Sequence, residues 1–149
     1  MRVASDGSPA RRAFVAAAAC ALLVLPRALL AQDAKSSTVQ LVAREWLKLV
    51  DALDGVKSWQ ASGPTFKRVL TEERWSQGLA RERERRGKVV QRAMVTTTFA
   101  SQFPGLPPKG IYALISFRTV YEKGIGTSES VTLEQGSDGV WRVVGYVIS

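Results

Sequence analysis

The chain contains no histidine. Zinc sites built on imidazole, Ser-His and Cys-His nucleophilic catalysis and imidazole proton shuttles are therefore excluded. Its one cysteine, Cys20, lies near the N-terminus, so the rest of the chain has neither a disulfide nor a thiolate to use. Neither G-x-G-x-x-G nor a P-loop pattern occurs, so nothing points to a nucleotide cofactor, and no cofactor or metal is expected. Long apolar runs are scarce as well. The one candidate, Ala13 to Leu25, is closed off by Arg27, short of the roughly 20 apolar residues a permanent membrane span needs.

What is present at the N-terminus reads as an address. Arg11 and Arg12 precede the apolar stretch, and "RALLAQ" leads from it into polar sequence. We expect residues 1–31 to be an export signal cut after Ala31, which places the protein in the periplasm or outside a bacterial cell. "RRAFV" resembles the core of a twin-arginine signal, with Ala10 where Ser or Thr is more usual, and a general secretory signal is the favoured route. Lipid attachment at Cys20 is disfavoured, because the residue before it is not leucine and the apolar run continues past it.

Without the leader, 118 residues remain, the size of one domain with a self-supporting core. Four of the 21 Lys and Arg and one of the 13 acids lie in residues 1–31, so 17 cations face 12 anions and the balance is +5. After a flexible lead-in over residues 32–38, Ser37 with Gln40 forms a capping-box start. Val39, Val42, Ala43, Trp46, Leu49, Val50 and Leu53 then recur at helical spacing, and Gly55 is expected to end that helix. A short piece around Trp59 follows, then a helix with Pro64 at its first position and Phe66, Val69 and Leu70 inward.

Another helix begins at Thr71 as N-cap, with Glu72 and Glu73 in the dipole-favoured first turn. Its tail, "RERERRGK", has no apolar residue to bury. Glu82 stands three and four residues before Arg85 and Arg86, and cations followed by Gly87 suit a helix end. A solvated, self-paired terminus explains this run better than a nucleic-acid clamp, which would bring interleaved aromatics or a second basic patch. No nucleic-acid partner is expected.

From Lys88 the period becomes two. "VVQRAMVTTTFAS", "GIYALISFRTVY", "SVTLEQ" and "VWRVVGYVIS" read as strands, with Ile111, Ala113, Ile115 and Phe117 on one face. "FPGLPPKG", "EKGIG" and "QGSDGV" read as turns. The fold class that follows is α+β: N-terminal helices on a curved four-stranded antiparallel sheet, a single domain over residues 39–149.

The segments "AREWLKLVDALD", "SWQASGPTFK", "ERW", "RGKVVQR", "PGLPPKGIYALISFRT" and "SESVTLEQGSDGVWRVVGYVIS" resemble the bacterial domain of unknown function 4019 family. That resemblance covers residues 39 to 149. It implies an exported bacterial protein and a cone similar to the nuclear-transport-factor-2 (NTF2) and cystatin-like class, and it implies no activity.

A cone of this kind offers a concave mouth for a ligand or for acid/base chemistry. The candidate ligand-binding residues are Arg92, Arg118 and Glu129 on strands, with Trp59 and Tyr146. A carboxylate among arginines stays ionised, which suits anion recognition better than proton abstraction. The simpler reading makes Glu129 and its arginines cross-strand ion pairs on an exposed face. Trp141 and Tyr146, five apart, are expected on opposite faces of the last strand. Pro104, Leu106 and Pro107, in the proline-rich loop, are the candidate partner-binding residues. Two functions fit: a non-enzymatic envelope module binding a small apolar or anionic ligand or another envelope protein, or an isomerase or cyclase with Glu129 or Asp51 as base. A homodimer is compatible with either.

Overall fold

The computed structural model describes residues 27–124 and 126–149. The export segment expected over residues 1–31, with Cys20, lies largely outside the described residues. Four helices precede four strands: α1 (Arg27–Asp51), α2 (Gly55–Ala61), α3 (Pro64–Val69), α4 (Glu72–Arg86), β1 (Val89–Ala100), β2 (Tyr112–Tyr121), β3 (Thr127–Gln135) and β4 (Trp141–Ile148). The strands form one antiparallel meander in the order β1-β2-β3-β4, and α1 crosses its inner face, touching every strand. This is the α+β arrangement that the change of period predicts. Among the described residues no helix is long and apolar enough to cross a membrane.

The first helix departs from expectation at both ends. It does not start at Ser37. The Ser37 and Thr38 hydroxyls donate instead to the Asp33 and Ala34 carbonyls, 2.9 Å each, the back-bond such side chains make inside a helix. The stretch 32–38 is therefore helical, and Lys35 lies over the Phe99 and Trp141 rings at 4.7 and 5.6 Å, an anchor for this turn. At the other end Gly55 terminates nothing: the chain turns at Leu53, with φ of 56°, and Gly55 opens α2 behind Asp54, whose Oδ1 accepts from the Lys57 N–H. Gly55 is needed for closeness. A Cβ there would stand 2.2 Å from Ser76 Oγ of α4.

The piece around Trp59 is thus a helix of its own. Thr71 caps α4 as expected, its hydroxyl accepting from Arg74 N–H, and Gly87 ends it at φ 80°. In α3, Phe66 is buried but Val69 is 74% exposed, because six residues give less than two turns and only one side can face the sheet. Ile111 is also exposed, since it precedes β2 rather than joining it.

The core holds Val39, Ala43, Trp46, Leu47, Val50, Phe66, Trp75 and Leu79 from the helices against Ala113, Ile115, Phe117, Val131, Leu133, Trp141 and Val143 from the sheet. Trp46 is its centre. Its ring meets those of Phe66, Trp75 and Tyr146 at 5.4 to 6.2 Å, contacts that contribute about 0.5–1.5 kcal/mol each beyond area burial. Its Nε1–H is shared between the Ser58 carbonyl and Ser62 Oγ. Trp75 donates to Ser58 Oγ at 2.8 Å.

Trp141 and Tyr146 do not lie on opposite faces. Thr132 pairs with Gly145 but Leu133 pairs with Val143, so Val144 is an extra residue in β4. The bulge resets the alternation, as one inserted residue must, and both aromatic rings meet the core.

Candidate functional site

Glu129 stands on the inner face of β3 and is 1% exposed, so the reading that put it on an outer face is overturned. Its register partners explain this: it lies beside Phe117 of β2 and Ile148 of β4, one step along the face from Val131. Arg92 enters from β1 and donates Nε to Glu129 Oε2 at 2.5 Å and Nη2 to Oε1 at 3.1 Å. Its other edge is bidentate to Asp51 at the end of α1, at 2.7 and 3.0 Å. Thr119 donates to Oε2 at 2.7 Å, Tyr121 to Oε1 at 3.2 Å, and Tyr146 also donates to Oε1. The result is an acid-arginine-acid bridge tying helix to sheet, surrounded by hydroxyl donors.

Burial alone would push the Glu129 carboxyl up. The Arg92 hydrogen bonds and charge, then Tyr146 and Thr119, outweigh burial and hold it below the usual carboxylate range. Burial, then the Glu129 charge, raises both the Tyr146 and the Tyr121 hydroxyls, so they remain donors. Glu129 is thus an ionised acceptor with every available side filled. A general base needs a free lone pair within reach of the proton it takes, and none is presented.

The space that reaches Asp51 is small, and a separate open hollow of about 440 Å³ borders the cluster only through Tyr146. A cavity of about 30 Å³ lies between Val50, Asp51, Leu79, Tyr121, Tyr146 and Ile148, room for one or two waters. The basic helix end forms one wall of it. Arg83 donates to the Asp51 carbonyl at 2.6 Å, and Arg86 lies over the Tyr121 ring while bonding Glu82 at 2.9 Å. "RERERRGK" is therefore partly self-paired, as its spacing predicts, and partly cavity wall: Arg83 and Arg86 are half-buried, whereas Arg81, Glu84 and Arg85 are exposed.

Of the candidate residues, Arg92, Glu129 and Tyr146 come together here, with Asp51. Thr119 and Tyr121 were missed, although extending the alternation of Ala113, Ile115 and Phe117 by four residues reaches both. Arg118 is exposed on the opposite face of β2. Trp59 is half-buried and tied down elsewhere, donating Nε1–H to the Leu70 carbonyl at 2.7 Å with Lys67 over its ring.

A second, much larger concavity of about 860 Å³ lies at the other end of the sheet. It is formed where α3, the proline-rich loop and the β3–β4 turn converge, and its Glu134 lies five steps along β3 from Glu129, about 17 Å at 3.4 Å per residue. Thr65 of α3 donates to Glu134 Oε2 at 3.0 Å and accepts from Arg68 Nη2 at 2.9 Å. Tyr112 donates to the Pro107 carbonyl and Glu134, which pins the loop, and the Phe103 ring meets Tyr112 edge-on at 6.0 Å. Arg142 is paired with Asp138 at 2.8 Å. That bond first, then the Val140 N–H, lowers the Asp138 carboxyl to about 2. Lys67, Arg68, Lys109 and Arg142 thus face two acids, Glu134 and Asp138, across the groove.

Pro107 lines this groove, while Pro104 and Leu106 line a smaller hollow of about 350 Å³ within the loop itself. Pro104 and Pro107 are exposed and Leu106 is half-buried. Among the described residues there is no group of three or more Asp, Glu or Cys arranged to hold a metal.

The sequence model of the proteins of unknown function DUF4019 matches residues 42–146. That stretch runs from the Trp46 helix to Tyr146 and contains every residue of both concavities except Ile148. The chain belongs to the DUF4019 family. No curated protein matches the chain. Among solved structures, a 2.5 Å structure from Catenulispora acidiphila is similar with a TM-score of 0.54 and 13% identity, over 80% of this chain and 94% of that one. A likeness at that identity concerns the fold alone, and it supports helices packed on a four-stranded antiparallel sheet for this DUF4019 protein.

Proposed function

We propose that this DUF4019 protein is an exported, non-enzymatic binding module, an NTF2-like cone whose interior is closed by its own side chains and whose ligand is held outside. The observation that carries this reading is the contrast between the two concavities. Glu129 already accepts from four side chains beside a cavity of about 30 Å³, whereas about 860 Å³ stands open among Thr65, Arg68, Lys109 and Arg142. Ligand sites are commonly about 300–1,000 Å³. The excess of cations over acids in the groove favours an anionic ligand, and Arg68 and Lys109 are its working charges, since Asp138 neutralises Arg142.

The isomerase or cyclase reading needs Glu129 or Asp51 as a base. Both are engaged by the same arginine, and the Glu129 side chain has no exposed surface for a substrate to reach. Export remains the reading of the arginine-led apolar leader.

Citrate serves as a carboxylate probe in a ¹H–¹⁵N titration of the full chain. Shift changes clustered at Thr65, Arg68, Lys109 and Gly136, and lost in an Arg68→Glu/Lys109→Glu variant of unchanged melting temperature, are the expected result. Changes centred instead on Val89, Tyr121 and Ile148, or none at millimolar citrate, would overturn the assignment.

A further inference from the structure

The free edge of β4 carries a second candidate surface, independent of the groove. Ser128 and Ser149 exchange both main-chain hydrogen bonds, at 2.9 Å each, and pairs along an antiparallel ladder alternate between bonded and non-bonded. Glu129–Ile148 and Val131–Tyr146 are therefore non-bonded pairs, and the N–H and C=O of Tyr146 and Ile148 point away from β3, out of the sheet edge. Val143, across the bulge, is aimed the same way, and its carbonyl accepts from the Gly63 N–H at 2.7 Å. Among the described residues no backbone group does the same for Tyr146 or Ile148. An edge left open in this way is a template for another strand.

Opposite that edge stands α4, which packs on α2 and leaves the hollow of about 440 Å³ between itself and Tyr146–Ile148. Gly78 lies in the middle of α4 on this hollow, and a Cβ there would meet nothing within 4 Å. Glycine inside a helix is less favourable than alanine, so helix propensity is sacrificed where the protein's own packing does not ask for it. The missing side chain lets another backbone come close.

Charge and polarity define what would fit. Arg74, Gly78 and Arg81, at spacings of four and three, share one face of α4. Both arginines are exposed and line the hollow, and among the described residues neither has an ion-pair partner, whereas Glu82 is held by Arg85 and Arg86. Leu70, Trp75 and Leu79 make the floor between them apolar. A strand laid beside β4 turns every second side chain toward α4. One apolar residue would cover Leu70 and Trp75, and carboxylates two positions to either side, about 13 Å apart, would meet arginines set about 10 Å apart along the helix. We infer that the β4 edge takes an extended acidic segment of a partner protein as a fifth strand, in the order acid, any residue, apolar, any residue, acid. Main-chain bonds to Tyr146 and Ile148 supply affinity, and the alternate side chains supply specificity.

Fluorescence anisotropy of fluorescein-Thr-Glu-Thr-Val-Thr-Glu-Thr-amide titrated with the full chain is the test. Saturable binding is expected, weakened more than about tenfold by Arg74→Glu/Arg81→Glu, which sets like charges against each other, and also by Gly78→Leu, which fills the hollow while improving the helix. Two versions of the peptide, N-methylated at alternate amides in opposite phase, should differ: one keeps binding and the other loses it, because only every second amide faces β4. The groove variant Arg68→Glu/Lys109→Glu should bind the peptide as the parent does, so this inference and the groove assignment fail separately. No binding at millimolar peptide, equal binding of the two methylated versions, or binding lost only in the groove variant would overturn the inference. So would a dimer of the chain, broken by Gly78→Leu, that the peptide does not dissociate, since a second copy would then occupy the edge.

Discussion

Replacing Arg92 by alanine removes the group that balances two carboxylates at once. Glu129 would remain with no exposed side chain and no counter-charge, and Asp51 would lose both of its hydrogen bonds to the guanidinium. Breaking a buried ion pair by deleting one partner costs about 3–5 kcal/mol. For a domain of this size, that corresponds to a fall of roughly 10–20 °C in melting temperature.

The acid dependence should also reverse. In the parent, Glu129 has a lowered pKa, so its contribution is complete above the unfolded carboxylate range and disappears as the pH falls through the folded value. In Arg92→Ala only burial remains as the dominant influence, and it raises the pKa. The penalty is then largest near neutral pH and shrinks as acid protonates Glu129. Chemical denaturation of both proteins at pH 7 and pH 5 measures this. A loss below about 1 kcal/mol at pH 7, the size of a surface pair, or a loss that does not shrink toward pH 5, would refute the account of this cluster.

Other outcomes follow from the same contacts. Tyr146→Phe deletes one donor to a charged acceptor and should cost about 1.5–3 kcal/mol in urea unfolding, while Arg118→Ala, exposed on the other face, should leave the stability of the isolated monomer within about 0.5 kcal/mol. Gly55→Ala drives a methyl to 2.2 Å from Ser76 Oγ and 2.8 Å from Ser76 Cα; a loss of about 1–3 kcal/mol is expected, and adding Ser76→Gly should not restore it, because the backbone contact stays and α4 gains an interior glycine. The Thr71→Ala cap variant should lose about 1 kcal/mol, read from its unfolding midpoint.

Much of the architecture was legible because it rests on local rules. The Thr71 cap, the Gly87 stop, Pro64 at a first helical position and the Asp138-Gly139 turn each depend on residues within a few positions of one another. So does the switch from helical to alternating periodicity at Lys88. The departures are tertiary. Lys35 reaches across to Phe99 and Trp141, and so keeps helical a stretch whose polar sequence suggests a loose lead-in. The approach of α2 to α4 demands Gly55 for space, where sequence suggests a stop.

The bulge at Val144 had the largest consequence. No residue type announces it, and it moves Tyr146 onto the core face, where its hydroxyl joins Glu129. Arg92, Glu129 and Tyr146 were recognisable as candidates by being polar within strands. That they form one saturated cluster depends on register, which spacing alone does not give. The groove was hidden for a related reason: Thr65, Lys109 and Glu134 come from three segments 25 or more residues apart in sequence, and each is unremarkable by itself.

The central claim is that recognition takes place in the groove and not beside Glu129. A photo-reactive amino acid placed in the full chain at Ile111, inside the groove, or at Val89, at the mouth of the small cavity, tests it in the producing cell. The account predicts adducts to molecules other than the chain itself from position 111 and none from position 89. Adducts from position 89 alone would mean that the interior opens to a ligand, and would contradict it.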